Sequence, residues 1–500
     1  MKYQYVFFFI TLVLMSEVLY YFRYRESITM SAINPTIKFS AADRSALIAQ
    51  LEQQVSTLPS FPRYDKIFHN SLSIIPVWIV TPATSSCIHR FFDSSPFSPS
   101  GKYIAVTCLS PGYSEYSALP LSEPVPSHVV VYDIWNQSVV ANITTFGWDS
   151  QVGAHAQWGK DDAHLLFNDI TNNNPRGVVY NIYTKRTRML NNTIYHVSND
   201  GNFAVTPSLA KIRFTQLGYG LYVQQVQPNN RSNLGDDGYY IVDISTGESS
   251  LLVSLRSLQK YLPRCFIPSI SAMYGFHVKW SSDDQLIMLV LRTVMVNSHR
   301  IQHIFTITKK KRDIKYITSW SSMSSPHSSK GGHHCHVLDG NHPNWIPNTH
   351  LLSINRGITK PWDLVVFNAD SGRNNYRWDA KMAVVGQSTG HPNFLSLNET
   401  NWNYIVVIDS YFKEKELFGN NIDEMVPLRL IVGNATRHTE VWLTRINNSH
   451  KSGQNAWRCD PHVTFDNSRR WIAFNARPYG KTRQVLIGYL GVDPRHVFVK

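Results

Sequence analysis

The stretch WSSDDQLIMLV, Trp280–Val290, joins an aromatic residue to a Ser/Asp turn and then to an unbroken apolar run. Ser and Asp favour turns because their short polar side chains bond the nearby backbone. The run after them has the length and composition of a buried strand. The same phrase recurs at Phe97 (FSPSGKYIAV), Trp158 (WGKDDAHLLF), Val197 (VSNDGNFAV), Trp345 (WIPNTHLLSI), Phe394 (FLSLNETNWNYIVVI) and Phe465 (FDNSRRWIAF). Each unit reads as strand, tight turn, strand, and His128–Ile134, Tyr239–Ile244 and Leu364–Asn368 supply further strands between them. Seven repeats of one antiparallel unit predict an all-β chain folded as a single seven-bladed β-propeller. A β-sandwich of ordinary hairpins is the alternative, but it has no reason to keep one phrase seven times. The residues after Phe465 are too few for a whole blade plus anything else, so the last blade is expected to borrow a strand from near Ile74–Val80.

The predicted boundaries are a signal-anchor or signal peptide over residues 1–25, a stem with a short helix over 26–70, and the propeller over 71–500. The apolar run Val6–Met15, extended loosely to Phe22, lies between Lys2 and the pair Arg23 and Arg25. It has the length of a signal segment at its centre and nearly that of a membrane span overall. Ala41–Val55 places Leu47, Leu51 and Val55 at helical spacing. Sequons at Asn136, Asn142, Asn191, Asn230, Asn398, Asn434 and Asn447 all follow the apolar run, as a luminal body requires. Together these features predict a glycoprotein of the secretory pathway, either secreted or a single-pass type II membrane protein, and a monomer. The five cysteines form no C-x-x-C pair, so a zinc ribbon is unsupported. Up to two disulfides are open to them, with the fifth a buried thiol. No G-x-S-x-G is present, which excludes a serine peptidase capped by the propeller.

The formal net charge is +13. With the export signals in view, nucleic acid is not the expected partner, and an acidic polysaccharide or anionic membrane surface is. Lys309–Arg312 reads as a solvated hairpin tip.

Three positions before the first residue of each phrase stand Ser94, His155, Ile194, His277, His342, His391 and His462. Five of these seven are histidine in a chain with 20 histidines among 500 residues. Equivalent positions on innermost strands repeat around a propeller axis, so these imidazoles are expected to converge at one mouth of the channel, with His155 and His277 lining it. Converging imidazoles repel when charged and are readily held neutral by a shared metal. His391 and His462, with Asp460 two residues before the latter on the same strand face, form a shell suited to manganese, iron or zinc. A second cluster, GGHHCHVLDGNHPNW, carries His333, His334, His336 and His342 after a Ser-rich stretch, Ser319–Gly332, that reads as a loop at the channel mouth.

At GHPNF, DPHVTF and HPNW the sequence resembles the oligogalacturonate lyase family, whose members are seven-bladed propellers. The resemblance spans roughly Ser94 to Ala476. It implies manganese as the metal, His391 and His462 as ligands, and His342 in the catalytic region. It also implies a lyase that cleaves uronate-containing glycans by β-elimination, with His342 or His336 as the base. Two positions depart from the family: Asp460 replaces a histidine, and Trp457 stands where a glutamine is expected. Zinc, an epimerase, an inactive relative, and a non-catalytic propeller that binds glycans or proteins remain alternatives.

Overall fold

The computed structural model describes residues 39–67, 73–113, 115, 125–321, 339–357, 362–370, 387–388, 390–409, 425–434, 438–447 and 455–492. Strands arrange as seven four-stranded antiparallel blades: 87–145, 157–189, 196–254, 270–321, 339–388, 392–447, and 464–489 completed by Val77–Ile79. Blades 4 and 5 are continuous through one parallel pair, Ser321 and Asp339. The strand borrowed from near Ile74–Val80 is therefore found where it was expected. The first residues of the expected loop at Ser319 instead end the strand Ile314–Ser321, because Ser319 pairs with His303 on the neighbouring strand.

Local chemistry explains why the phrase recurs. Ser98, Ser198 and Ser281 each follow the phrase's first residue, and their hydroxyls accept the N–H five residues on, from Tyr103, Phe203 and Leu286, at 3.1, 3.0 and 2.9 Å. Asp466 does the same for Trp471 at 2.9 Å. The clamp sets the turn and hence the register. Phe97, Trp158, Val197, Trp280, Trp345 and Phe465 all pair with the residue seven positions later. The phrase residues also stitch blades together. Trp158 Nε1 donates to the Pro96 carbonyl of blade 1 at 2.8 Å, and Trp345 Nε1 to the Lys279 carbonyl of blade 4 at 3.0 Å.

Blade 6 departs from the expected alignment. There Leu397 pairs with Tyr404 seven residues on, whereas Phe394 pairs with Val406, across a bulge between Phe394 and Ser396. His391 thus lies six residues, not three, before the equivalent position.

The stem begins with helix α1, Ala41–Gln53, opened by a capping box in which Ser40 Oγ accepts from the Asp43 backbone at 3.1 Å. It ends two residues short of Val55. Leu47 and Leu51 are buried in the core that holds Val77–Val80 and Leu486. Arg63 bonds Asp65 at 2.7 Å and lies 4.8 Å over the Trp78 ring. Lys309–Arg312 is the tip between Arg300–Thr308 and Ile314–Ser321, as expected. Cys87 and Cys108 are disulfide-bonded across the first ladder of blade 1. Cys265 is also disulfide-bonded, and Cys459 is a buried free thiol.

The closing strand carries the ring's continuity: Val77, Trp78 and Ile79 pair with Gly488, Ile487 and Leu486. Trp78→Ala removes a side chain that is 1% exposed and should cost about 3–5 kcal/mol. Chemical denaturation followed by tryptophan fluorescence checks this; a loss below about 1 kcal/mol would show that closure does not depend on that strand.

Candidate metal centre

The channel histidines sit where the inner strands are irregular. His155, His342 and His462 have φ of 55°, 55° and 52°, a left-handed backbone uncommon for non-glycine residues. His277 lies inside the register shift between Gly275 and Val278, and His342 inside that between Asn341 and Asn344. Such irregularities re-aim a side chain out of the ladder. Asp460 and His462 do not share a strand face as expected, since the strand starts only at Thr464. The left-handed turn at His462 brings their ligand atoms together instead.

Three of the histidines meet. The rings of His342 and His391 are 3.9 Å apart between centroids, and those of His391 and His462 are 4.4 Å apart. One ligand atom each of His391, Asp460 and His462 all fall within 4.8 Å of one another, and all three residues are buried. Neither ring nitrogen of His462 has a hydrogen-bond partner among the described residues. Its Nε2 is 3.8 Å from Asp460 Oδ2. A buried imidazole left in this way costs free energy unless something binds it, and two imidazoles with a carboxylate are a donor set for a first-row divalent cation. The residues present therefore fit a metal.

His342 and His391 are held by their other nitrogens. His342 Nδ1 donates to the Gly390 carbonyl at 2.9 Å. His391 Nδ1 donates to Asp409 Oδ2 at 2.9 Å. Asp460 Oδ2 accepts from Arg458 Nε at 2.7 Å, and Arg458 Nη2 bonds the Tyr219 hydroxyl at 3.0 Å. The remaining two histidines lie deeper round the ring: His277 Nδ1 is hydrogen-bonded to the Tyr195 hydroxyl, and His155 Nε2 is 3.6 Å from Asp149. His336 lies outside the described residues.

The axis also holds residues that the sequence pattern did not reveal. Phe91 and Phe92, at 1% and 0% exposed, fill the space between the imidazoles. The Phe91 ring is 4.4 Å from His462, 5.2 Å from His277 and 5.7 Å from His391, and Phe92 is 5.0 Å from His391. Asp93 pairs with Lys279 at 3.0 Å and with Arg90 at 3.4 Å, all buried. Burial alone would raise the Asp93 carboxyl, but Lys279 and Arg90 outweigh it and hold it well below the usual range. Lys279, in the inner strand of blade 4, also lies 4.5 Å over Phe92. The signal for this cluster was RFFD, two aromatics between opposite charges just before the first phrase.

Solved structures share this architecture. An oligogalacturonate lyase in complex with manganese matches with a TM-score of 0.53 at 13% identity, over 88% of this chain and 98% of that one. The oligogalacturonate lyase of Vibrio parahaemolyticus matches with a TM-score of 0.51 at 12% identity, over 87% and 97%. At such identities the likeness is one of fold. No family model and no curated protein matches the sequence.

Burial pushes His89 and His196 down to about 4 and His303 to about 3. It also lowers His155, His277, His342 and His462. In the unfolded chain these groups titrate near pH ~6.5. Between that value and about 4 the unfolded chain binds more protons than the folded one, so stability must fall as pH falls across this window. The unfolding free energy of metal-free protein, from urea titrations, should drop steeply from pH 6.5 to 4, by on the order of a few kcal/mol per buried imidazole. A flat profile would contradict neutral, buried imidazoles.

Proposed function

We propose that this protein is a metal-dependent lyase acting on uronate-containing glycans by β-elimination. The observation that carries the reading is the meeting of His391, His462 and Asp460 within 4.8 Å, with the His342 ring beside them. His391, His462 and Asp460 would hold the cation, and manganese is the favoured one because a lyase of this fold is a manganese complex. A divalent cation bound to a uronate carboxylate stabilises the charge that develops when the neighbouring proton leaves. The chain's own part is that of the base. With Nδ1–H committed to the Gly390 carbonyl, the basic nitrogen of His342 is the other one. It takes the proton from C5, the freed pair forms the C4–C5 double bond, and the C4 oxygen leaves with the rest of the glycan and takes a proton from solvent. Arg458 adds positive charge beside Asp460, and the net charge of +13 favours a polyanion.

One observation favours a second reading. Phe91 stands 4.4 Å from His462, so the metal residues are walled by an aromatic ring on that side. This suits a structural metal in a non-catalytic propeller that binds glycans or proteins. Metal analysis with a screen of acidic polysaccharides separates the two. The lyase reading expects bound manganese, a rise in the ultraviolet absorbance of unsaturated uronate, and loss of both in His391→Ala and His462→Ala, with affinity falling by at least about 100-fold. Metal without product from any acidic polysaccharide would leave the second reading. Absence of metal would sink both.

A secretory location is part of the same proposal. Asn136, Asn142, Asn191, Asn230 and Asn398 are exposed, and Asn434 and Asn447 are half-buried. The Cys87–Cys108 disulfide suits an oxidising compartment. Among the described residues no helix is long and apolar enough to cross a membrane, and the segment expected to do so lies outside them. Glycosidase treatment of protein made in a eukaryotic secretory system should lower its mass; an unshifted band would reject this location.

A further inference from the structure

We infer that Asp409 is the positioning residue of the metal centre, one buried carboxylate that fixes both metal-binding histidines from two different blades. The inference rests on the metal reading above. Asp409 directly follows the buried strand Tyr404–Ile408 of blade 6 and is 0% exposed. Its Oδ1 accepts the backbone N–H of His391 at 2.5 Å, and its Oδ2 accepts His391 Nδ1–H at 2.9 Å. Oδ2 also accepts the backbone N–H of His462, in blade 7, at 2.9 Å. A single side chain thus sets the ring orientation of one ligand and the backbone of the other at its left-handed turn.

The neighbouring sequence is shaped to allow this. A Cβ on Gly390 would lie 1.9 Å from the Asp409 carbonyl oxygen and 2.2 Å from Oδ1, so only glycine admits the approach. The Gly390 carbonyl in turn accepts from Asn355 Nδ2 at 2.6 Å and from His342 Nδ1 at 2.9 Å, which extends the same scaffold to the proposed base.

Charge supplies a second, independent observation. A carboxylate taken wholly out of water is expensive unless a cation compensates it. Among the described residues no Lys or Arg side chain bonds Asp409; its partners are His391 and the His462 backbone. On the metal reading, the compensating cation is the one that His391 would bind. The carboxylate fixes Nδ1 as the protonated nitrogen, and a carboxylate in this position raises the basicity of a ligating imidazole.

The test is manganese affinity of the full chain, read from the spin-resonance signal of free Mn(II), for wild type and Asp409→Asn. Asparagine keeps one oxygen, enough for one of the two backbone donors, and removes the charge. The expected result is a 10- to 100-fold weaker affinity in a variant whose metal-free form still unfolds cooperatively, though at a somewhat lower midpoint because one buried N–H loses its acceptor. Wild-type affinity in the variant, or a lower midpoint with unchanged affinity, would assign Asp409 to folding alone and overturn the inference while leaving the metal reading intact. Failure of wild type to bind manganese would overturn the metal reading and this inference with it. Should the variant not fold, cobalt-loaded wild type answers the question. A hyperfine-shifted exchangeable proton, protected in D2O, is expected from His391 Nδ1–H, and its absence would contradict the assignment.

Discussion

Closure of the ring is the constraint on which the rest of this structure depends. Val77–Ile79 completes blade 7 from the N-terminal side, so the last blade holds both ends of the propeller together. Once seven blades close, their first strands have nowhere to face but the axis. Side chains at one level of those strands must then meet, whatever their separation in sequence. Here the meeting groups are imidazoles, two phenyl rings and the Asp93–Lys279–Arg90 ion cluster. Taking them out of water costs free energy, which must be recovered by packing, pairing or bound ligand. The closed ring pays that cost through the apolar faces of its blades, and burial there lowers the pKa of His155, His277, His342 and His462.

Much of the fold was legible because its determinants are local. A hydroxyl or carboxylate just after the phrase residue clamps a backbone N–H five positions on, and that arrangement can be read from Ser98, Ser198, Ser281 and Asp466 alone. The borrowed strand, expected near Ile74–Val80, is Val77–Ile79, an apolar segment paired with Leu486–Gly488. The site was legible only in part. His342, His391 and His462 could be picked out by recurrence, although blade 6 is offset by a bulge that no pattern of residue types announces. Asp460 and His462 come together through a left-handed backbone rather than strand alternation. Asp409, Phe91 and Lys279 escaped because their roles exist only across blades. In sequence Asp409 is an ordinary polar residue ending a strand, and Lys279 an ordinary cation in one.

The centre combines two tendencies that pull in opposite directions. His391, His462 and Asp460 form a compact donor set, with one imidazole unpartnered and another oriented by a carboxylate. That is the arrangement of a site built to hold a cation. Phe91 and Phe92 pack against the same rings and restrict approach from their side, while Arg458 and Tyr219 border Asp460 on another. The likeness to an oligogalacturonate lyase in complex with manganese, at 13% identity, is one of architecture.

The claim at the centre of this account is that His391, His462 and Asp460 share one divalent cation. The most direct measurement is anomalous scattering at the manganese edge from crystals of the full chain grown with manganese. The account predicts one strong peak within direct coordination distance of a ring nitrogen of each histidine and an oxygen of Asp460, with His391 Nδ1 still bonded to Asp409. A map with no peak between these three residues, and Phe91 still packed against His462, would contradict it.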